Sequence, residues 1–130
     1  NLLDGFWLSV ERCGDRPALE IGAQTLTYAD LGADAGKLSV VIRQEERKAA
    51  PVAAVWAARS LVAYEGVLAV LASGKGYVPL NPKFPPARTA AMLMLSGCGV
   101  VVCGLEIMDL LDRPATALER IADVLEGRNA

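Results

Sequence analysis

The stretch Leu71-Ala72-Ser73-Gly74-Lys75-Gly76-Tyr77-Val78-Pro79-Leu80-Asn81-Pro82-Lys83-Phe84-Pro85-Pro86-Ala87-Arg88 decides the fold. It joins the end of an oily helix to a short strand and then to a new helix start. Gly74 supplies the left-handed residue that stops a helix, and Gly76 is expected to share in the sharp turn. Tyr77 to Leu80 reads as a strand that exits through Pro79 and Pro82, which fix an extended path and stop further pairing. Pro85 and Pro86 pre-set the first turn of the next helix. Arg88 sits in that first turn, against the helix dipole, so a specific partner is expected for it: a carboxylate or carbonyl elsewhere.

Upstream, Ser60 can cap a helix over residues 61–72 that is apolar almost all round, with Leu61, Val62, Tyr64, Val67, Leu68, Val70 and Leu71. Each large side chain it buries would contribute roughly 1.5–3 kcal/mol, so much of the stability is expected there. Residues 52–57 precede it as a buried strand, and residues 99–103 follow the next helix as a third. Residues 52–103 thus read βαβαβ, which predicts an α/β fold with a partial parallel sheet and flanking helices. Before this unit, Leu3, Phe6, Trp7 and Val10 have helical spacing over residues 2–13. Residues 18–21 and 25–28 read as a hairpin turned at Gly22. Thr27 and Asp30 form a capping box for a helix whose apolar stripe runs through Tyr28, Leu31, Ala35, Leu38, Val41 and Ile42 and ends near Lys48. Residues 105–111 read as a weaker helix. Thr116 with Glu119 caps a last one that stops at Gly127, so 104–130 reads as a divergent helical tail on a single domain of residues 1–130.

Composition narrows the function. The chain has 130 residues, 53% apolar and 22% charged, with net charge −2, which is globular composition for one small domain. The 13 basic residues are scattered, so no nucleic-acid partner is expected. The apolar region 51–72 is broken by Arg59 and Glu65, so no membrane span is expected. Cys13, Cys98 and Cys103 are an odd set, read as reduced thiols in a cytoplasmic protein. The chain has no histidine, which excludes mixed Cys/His zinc sites, Ser-His-Asp triads and Cys-His dyads. No metal site is expected.

Gly74-Lys75-Gly76 does not make a phosphate loop. That loop needs four residues between its Gly and its Gly-Lys, then Ser or Thr, between a strand and a following helix. Here the order is helix, then strand. Gly97-x-Gly99 ends a helix and lacks the third glycine of a dinucleotide fingerprint. The carboxylate pairs Glu45/Glu46 and Asp109/Asp112 are expected on solvated helix faces, with nothing to separate their pKa values for catalysis.

Two segments resemble adenylation domains of nonribosomal peptide synthetases, within the adenylate-forming superfamily that includes acyl-CoA synthetases and luciferases. Leu26-Thr27-Tyr28-Ala29-Asp30-Leu31 is similar to that family's LTYxEL segment, and residues 71–88 are similar to its LKAGxAYVPLDPxxPxxR. The resemblance covers roughly residues 3–103. It carries over Thr27, Tyr28, Leu31, Gly74, Gly76, Tyr77, Pro79, Leu80, Pro82, Pro85 and Arg88 as architectural positions. Asn81 departs from the usual Asp, and Lys75 and Ser73 replace small residues. The resemblance implies an N-terminal portion of an ATP-dependent ligase that joins a carboxylic acid to ATP, with Mg, and passes the acyl group to a carrier-protein thiol. The family's phosphate loop, ribose-binding Asp, substrate pocket and late catalytic Lys fall outside the matched region. The chain alone is therefore expected to hold no catalytic or cofactor-binding residue and to be inactive. Its partners would be the remainder of the enzyme or, in the alternative of a non-catalytic docking module, a synthase protein. An isolated chain is expected to leave part of the 61–72 helix uncovered and to self-associate.

Overall fold

A computed structural model describes residues 2–111 of the chain; the expected helix capped by Thr116 lies outside them. The elements run α1 (Asp4–Cys13), β1 (Pro17–Ile21), β2 (Gln24–Thr27), α2 (Tyr28–Glu45), β3 (Val52–Trp56), α3 (Leu61–Ala72), β4 (Gly76–Leu80), α4 (Pro86–Ser96), β5 (Val101–Cys103) and α5 (Leu105–Leu111). β1 and β2 form an antiparallel hairpin through Gly22, at φ 58°. β3, β4 and β5 form a parallel sheet in the order β4-β3-β5.

Local sequence explains the starts and stops. Thr27 Oγ1 accepts the Asp30 N–H (3.1 Å) and Asp30 Oδ2 accepts the Thr27 N–H (3.3 Å), the reciprocal box that launches α2. Ser60 caps α3, its hydroxyl accepting the Ala63 N–H. At the other end of α3 the Gly74 N–H donates to Leu71 O (3.0 Å) and the Lys75 N–H to Val70 O (3.2 Å), with Gly74 at φ 85°. That pair of bonds is a Schellman stop. Gly76 is different from expectation. Its φ is not positive, and an added Cβ would meet nothing closer than 3.6 Å. The turn therefore needs Gly74 alone. Pro86 opens α4, and Gly97 closes it at φ 65°.

The sheet has a helix layer on each face. On one, Ala54, Trp56 and Leu80 pack with Ala90 and Leu93 of α4 and Ile107 of α5. On the other, Ala53, Val55 and Val102 pack with Ile42 of α2 and Ala69 and Val70 of α3. Gly66 lets α3 press onto the sheet, since a Cβ there would lie 3.1 Å from a Val55 methyl and 3.2 Å from a Val102 methyl.

Three expectations need correction. α2 ends at Glu45, short of Lys48, where Glu46 turns extended as its C-cap. In α3 only Gly66, Ala69 and Val70 are fully buried, because small residues face the sheet and larger ones sit half-covered at the flanks. The most exposed large apolar side chains are consequently elsewhere: Leu2 at 85%, Leu95 of α4 at 87% and Leu105 of α5 at 84%. Glu46 is not a solvated carboxylate either. It lies between α2 and α3, 2.6 Å from the Lys75 ammonium.

Candidate functional site

The parallel sheet has one edge where connections diverge. β3 leaves its carboxyl end into α3 on one face, and β4 leaves its carboxyl end into α4 on the other. Where neighbouring parallel strands send their connections to opposite faces, a crevice opens beyond their carboxyl ends, and ligands of open α/β sheets bind there. Trp56 and Leu80 are register partners at this edge. Beyond these carboxyl ends lie residues 57–60 after β3, residues 81–85 after β4 and the β5–α5 junction at Gly104.

Each of these segments is held by specific bonds. Asn81 Oδ1 accepts the Lys83 N–H (2.9 Å) and Asn81 O the Phe84 N–H (2.9 Å), which folds the loop after β4 into a tight turn. The Arg88 guanidinium lies 4.1 Å from the centre of the Phe84 ring, a cation–π stack one helical turn long. That contact is an aromatic ring of its own chain, not the carboxylate or carbonyl elsewhere that was expected for Arg88. On the other side of β3 from β4, Glu106 Oε1 accepts the Ala58 N–H (3.3 Å), tying the α5 start to the β3–α3 loop. The same carboxylate lies against Gly104, where any Cβ would collide with it. Burial, and secondarily the charge of Glu106, pushes the Cys103 thiol upward from its ordinary pKa, toward the inert, protonated form. Trp56 Nε1 is buried with no hydrogen-bond partner among the described residues.

The motif residues divide between two ends of the sheet. Pro79, Leu80, Pro82, Pro85 and Arg88 belong to the crevice end. Gly74, Gly76 and Tyr77 lie at the amino end of β4. There the N–H groups of Gly74, Lys75 and Gly76 are all donated within the chain, to Leu71, Val70 and Pro51 carbonyls. The Gly74–Gly76 segment therefore does not fit a nucleotide's phosphates, which need free converging amides. Thr27, Tyr28 and Leu31 stand apart at the start of α2. Thr27 caps, Tyr28 lies 6.3 Å from the Phe6 ring of α1, and Leu31 is buried.

Sequence reasoning missed the Glu46–Lys75 pair. Its side chains are 18% and 10% exposed, and Lys75 Nζ also donates to Ala50 O at 2.6 Å. Glu46 Oε2 is sealed from solvent, and the ammonium meets it as a charge partner without hydrogen-bond geometry. No spacing rule links residues 46 and 75. Phe84 and Arg88, four apart at a helix start, did carry a legible signal.

Among the described residues, no three His, Cys, Asp or Glu side chains gather as a metal site, and no helix is long and apolar enough to cross a membrane.

Comparison with known proteins adds the following. The sequence model of the family described as AMP-binding enzyme matches residues 6–129. Bacitracin synthase 3 of Bacillus licheniformis is 30% identical over 113 residues, 87% of this chain and 2% of that synthase. Among solved structures, the α-methyl-L-serine-AMP-bound form of the nonribosomal peptide synthetase FmoA3 aligns over 88% of this chain and 13% of its own, at 27% identity and TM-score 0.78. The N-terminal subdomain of NpsA from Klebsiella oxytoca aligns over 75% of this chain and 26% of its own, at 26% identity and TM-score 0.66. The stretch thus spans a small part of each relative.

Proposed function

This chain belongs to the AMP-binding enzyme family, among the adenylation domains of nonribosomal peptide synthetases, and we propose that it is the N-terminal scaffold portion of an ATP-dependent ligase that adenylates an amino acid or related carboxylic acid. In that reaction a carboxylate oxygen bonds to the α-phosphorus of ATP and pyrophosphate leaves; a carrier-protein thiol then takes the acyl group and AMP leaves. ATP, Mg and the acid would be held by polypeptide outside the motifs read here. Residues 52–103 contribute the sheet and its carboxyl-end crevice, which position whatever docks above them.

The observation that carries this reading is the β4-β3-β5 parallel unit bearing the 71–88 motif on its Schellman turn and the loop after β4, in a chain that aligns with adenylation-domain structures at TM-scores of 0.78 and 0.66. Arg88, Phe84 and Asn81 shape the loop after β4, and Glu106 pins the loop after β3. Each acts by holding backbone in place.

ATP–pyrophosphate exchange tests it, with a panel of amino acids. The full-length polypeptide should exchange with at least one acid, and the 130-residue chain alone should exchange with none. Exchange by the short chain would overturn the scaffold assignment. Arg88→Ala in the full-length polypeptide should lower stability or exchange, and no change in either would refute its role. The exposed Leu95 and Leu105 also suit a non-catalytic docking module. A full-length polypeptide with no exchange on any acid, bound instead to a synthase protein, would favour that second reading.

A further inference from the structure

At the amino end of the sheet one short segment is tied down on both sides of the central strand. Residues 46–51 leave α2 at Glu46 and enter β3 at Val52. On the β5 side the Arg47 N–H donates to Gly99 O (3.0 Å), and Gly99 lies so close to the Lys48 carbonyl that a Cβ there would collide with it. On the β4 side the Gly76 N–H donates to Pro51 O (2.9 Å). Lys75 Nζ donates to Ala50 O (2.6 Å) and meets Glu46 Oε2 at 2.6 Å. β3 lies between β4 and β5, so the segment joins the α3–β4 connection to the α4–β5 connection.

Its attachment is polar. Arg47, Lys48, Ala49 and Pro51 are exposed, and no side chain of residues 46–51 belongs to either core cluster among the described residues. A segment held by polar bonds on a packed sheet is the kind of unit that opens locally while the rest stays folded. We infer that residues 46–51 form a strap that opens and closes as one unit on the intact sheet, with Lys75 as its latch. The ammonium grips Glu46 on one side of Arg47 and Ala50 on the other. Its release therefore loosens the bonds to Gly99 and to Gly76 together. The consequence is conformational. Gly99 follows α4, which packs on one face of the sheet, and Lys75 follows α3, which packs on the other. The closed strap couples the two helix layers at this end, and the open strap frees them from one another. The device does not depend on the adenylation reading.

Hydrogen exchange at single amides of the 130-residue chain, followed through a series of low urea concentrations, tests this. After correction for intrinsic rates, the Arg47 and Gly76 amides should report one shared opening with little urea dependence, because a local opening exposes little surface. The Ala54 amide, bonded to Val100 O within the sheet, should show the steep dependence of global unfolding. Lys75→Met should speed the Arg47 and Gly76 amides alike, by on the order of 100-fold, since it orphans a buried charge. The Trp7 amide, bonded to Leu3 O in α1, should not change, because fraying there leaves the latch intact. A Gly76 amide that speeds while the Arg47 amide does not overturns the strap and confines Lys75 to its own turn. Urea slopes at Arg47 and Gly76 as steep as that at Ala54 overturn it too, since the segment then opens only when everything unfolds. If Lys75→Met does not fold, Glu46→Gln repeats the comparison: a smaller factor common to both amides supports the strap, and unequal factors refute it.

Discussion

Replacing Lys75 by Met keeps the length and apolar stem of the side chain and removes only the ammonium. Two groups then lose their partner: Glu46 Oε2, with no solvent contact, and Ala50 O, bonded at 2.6 Å. A surface ion pair contributes about 0–1 kcal/mol, whereas orphaning one member of a buried pair costs about 3–5 kcal/mol. Exposures of 10% and 18% place this pair nearer the buried limit, so Lys75→Met should cost about 3 kcal/mol. At an unfolding entropy of roughly 2.1 cal/mol/K per residue, that lowers the Tm of a chain this size by about 11 °C. Glu46→Gln alone should cost less, about 1–2 kcal/mol, because a neutral amide replaces the sealed carboxylate. The double variant should cost less than the two singles summed, since each removes the other's unpaired charge. Urea denaturation of the four proteins gives the coupling energy directly. A Lys75→Met change within about 0.5 kcal/mol of wild type, or a coupling energy near zero, would refute the claim that the pair is desolvated and mutual.

Other positions respond in ways that thermal melts or simple binding assays can read. Gly99→Ala would drive a methyl into the Lys48 carbonyl, with Lys48 N 3.2 Å away, and should cost about 3 kcal/mol; Gly104→Ala meets only the movable end of Glu106 and should cost clearly less. Thr27→Ala removes one half of the α2 capping box and should cost about 1 kcal/mol, seen as a Tm about 4 °C lower. Glu65 has its carboxyl pKa raised, first by burial, then by a hydrogen bond to Asp34 and by the charge of Asp34. The folded state therefore holds that proton longer than the unfolded chain does. The site's contribution is fully present below the ordinary carboxylate value and is lost as pH rises through the raised one. Glu65→Gln should flatten that fall in a Tm-against-pH profile; an unchanged slope counts against the shared-proton contact. Finally, the 130-residue chain should bind a hydrophobic dye, and Leu95→Lys with Leu105→Lys should abolish most of the signal; dye binding that survives both changes would place the apolar surface elsewhere.

What sequence reasoning could see was whatever is local or periodic. The Thr27–Asp30 box, the left-handed stops at Gly74 and Gly97 and the Pro86 helix start are each set by residues within a few positions of one another, and all are present. The βαβαβ order was legible because buried strands and helices differ in length and punctuation. Lateral packing was not. The stripe on α2 included Val41, which is half-exposed, while Gly32 and Ser39 are buried instead, because α1 and α3 approach from directions that a single helix's pattern does not encode. The crevice at the carboxyl ends depends on which face each connection takes, and that emerges only once both helix layers are in place.

The departures from the family pattern show how such a scaffold absorbs change. Asn81 stands where the family has Asp, yet its Oδ1 still accepts the Lys83 N–H, as a carboxylate oxygen would, so the turn after β4 survives without the charge. Ser73 replaces a small apolar residue at the end of α3, and its hydroxyl donates to Val70 O at 2.6 Å. Lys75 brings a full charge into a half-buried turn and is met there by Glu46 and Ala50 O. In each case the new polar group finds a partner within its own chain, so none of the three places an unpaired charge on the crevice or the β5 edge. The turn's geometry rests on Gly74 alone. Residue 75 is free to vary in type provided that residue 46 varies with it, and Lys75→Ala with Glu46 retained should accordingly be less stable than Lys75→Ala with Glu46→Ala, an inversion that a purely additive view of the turn does not allow.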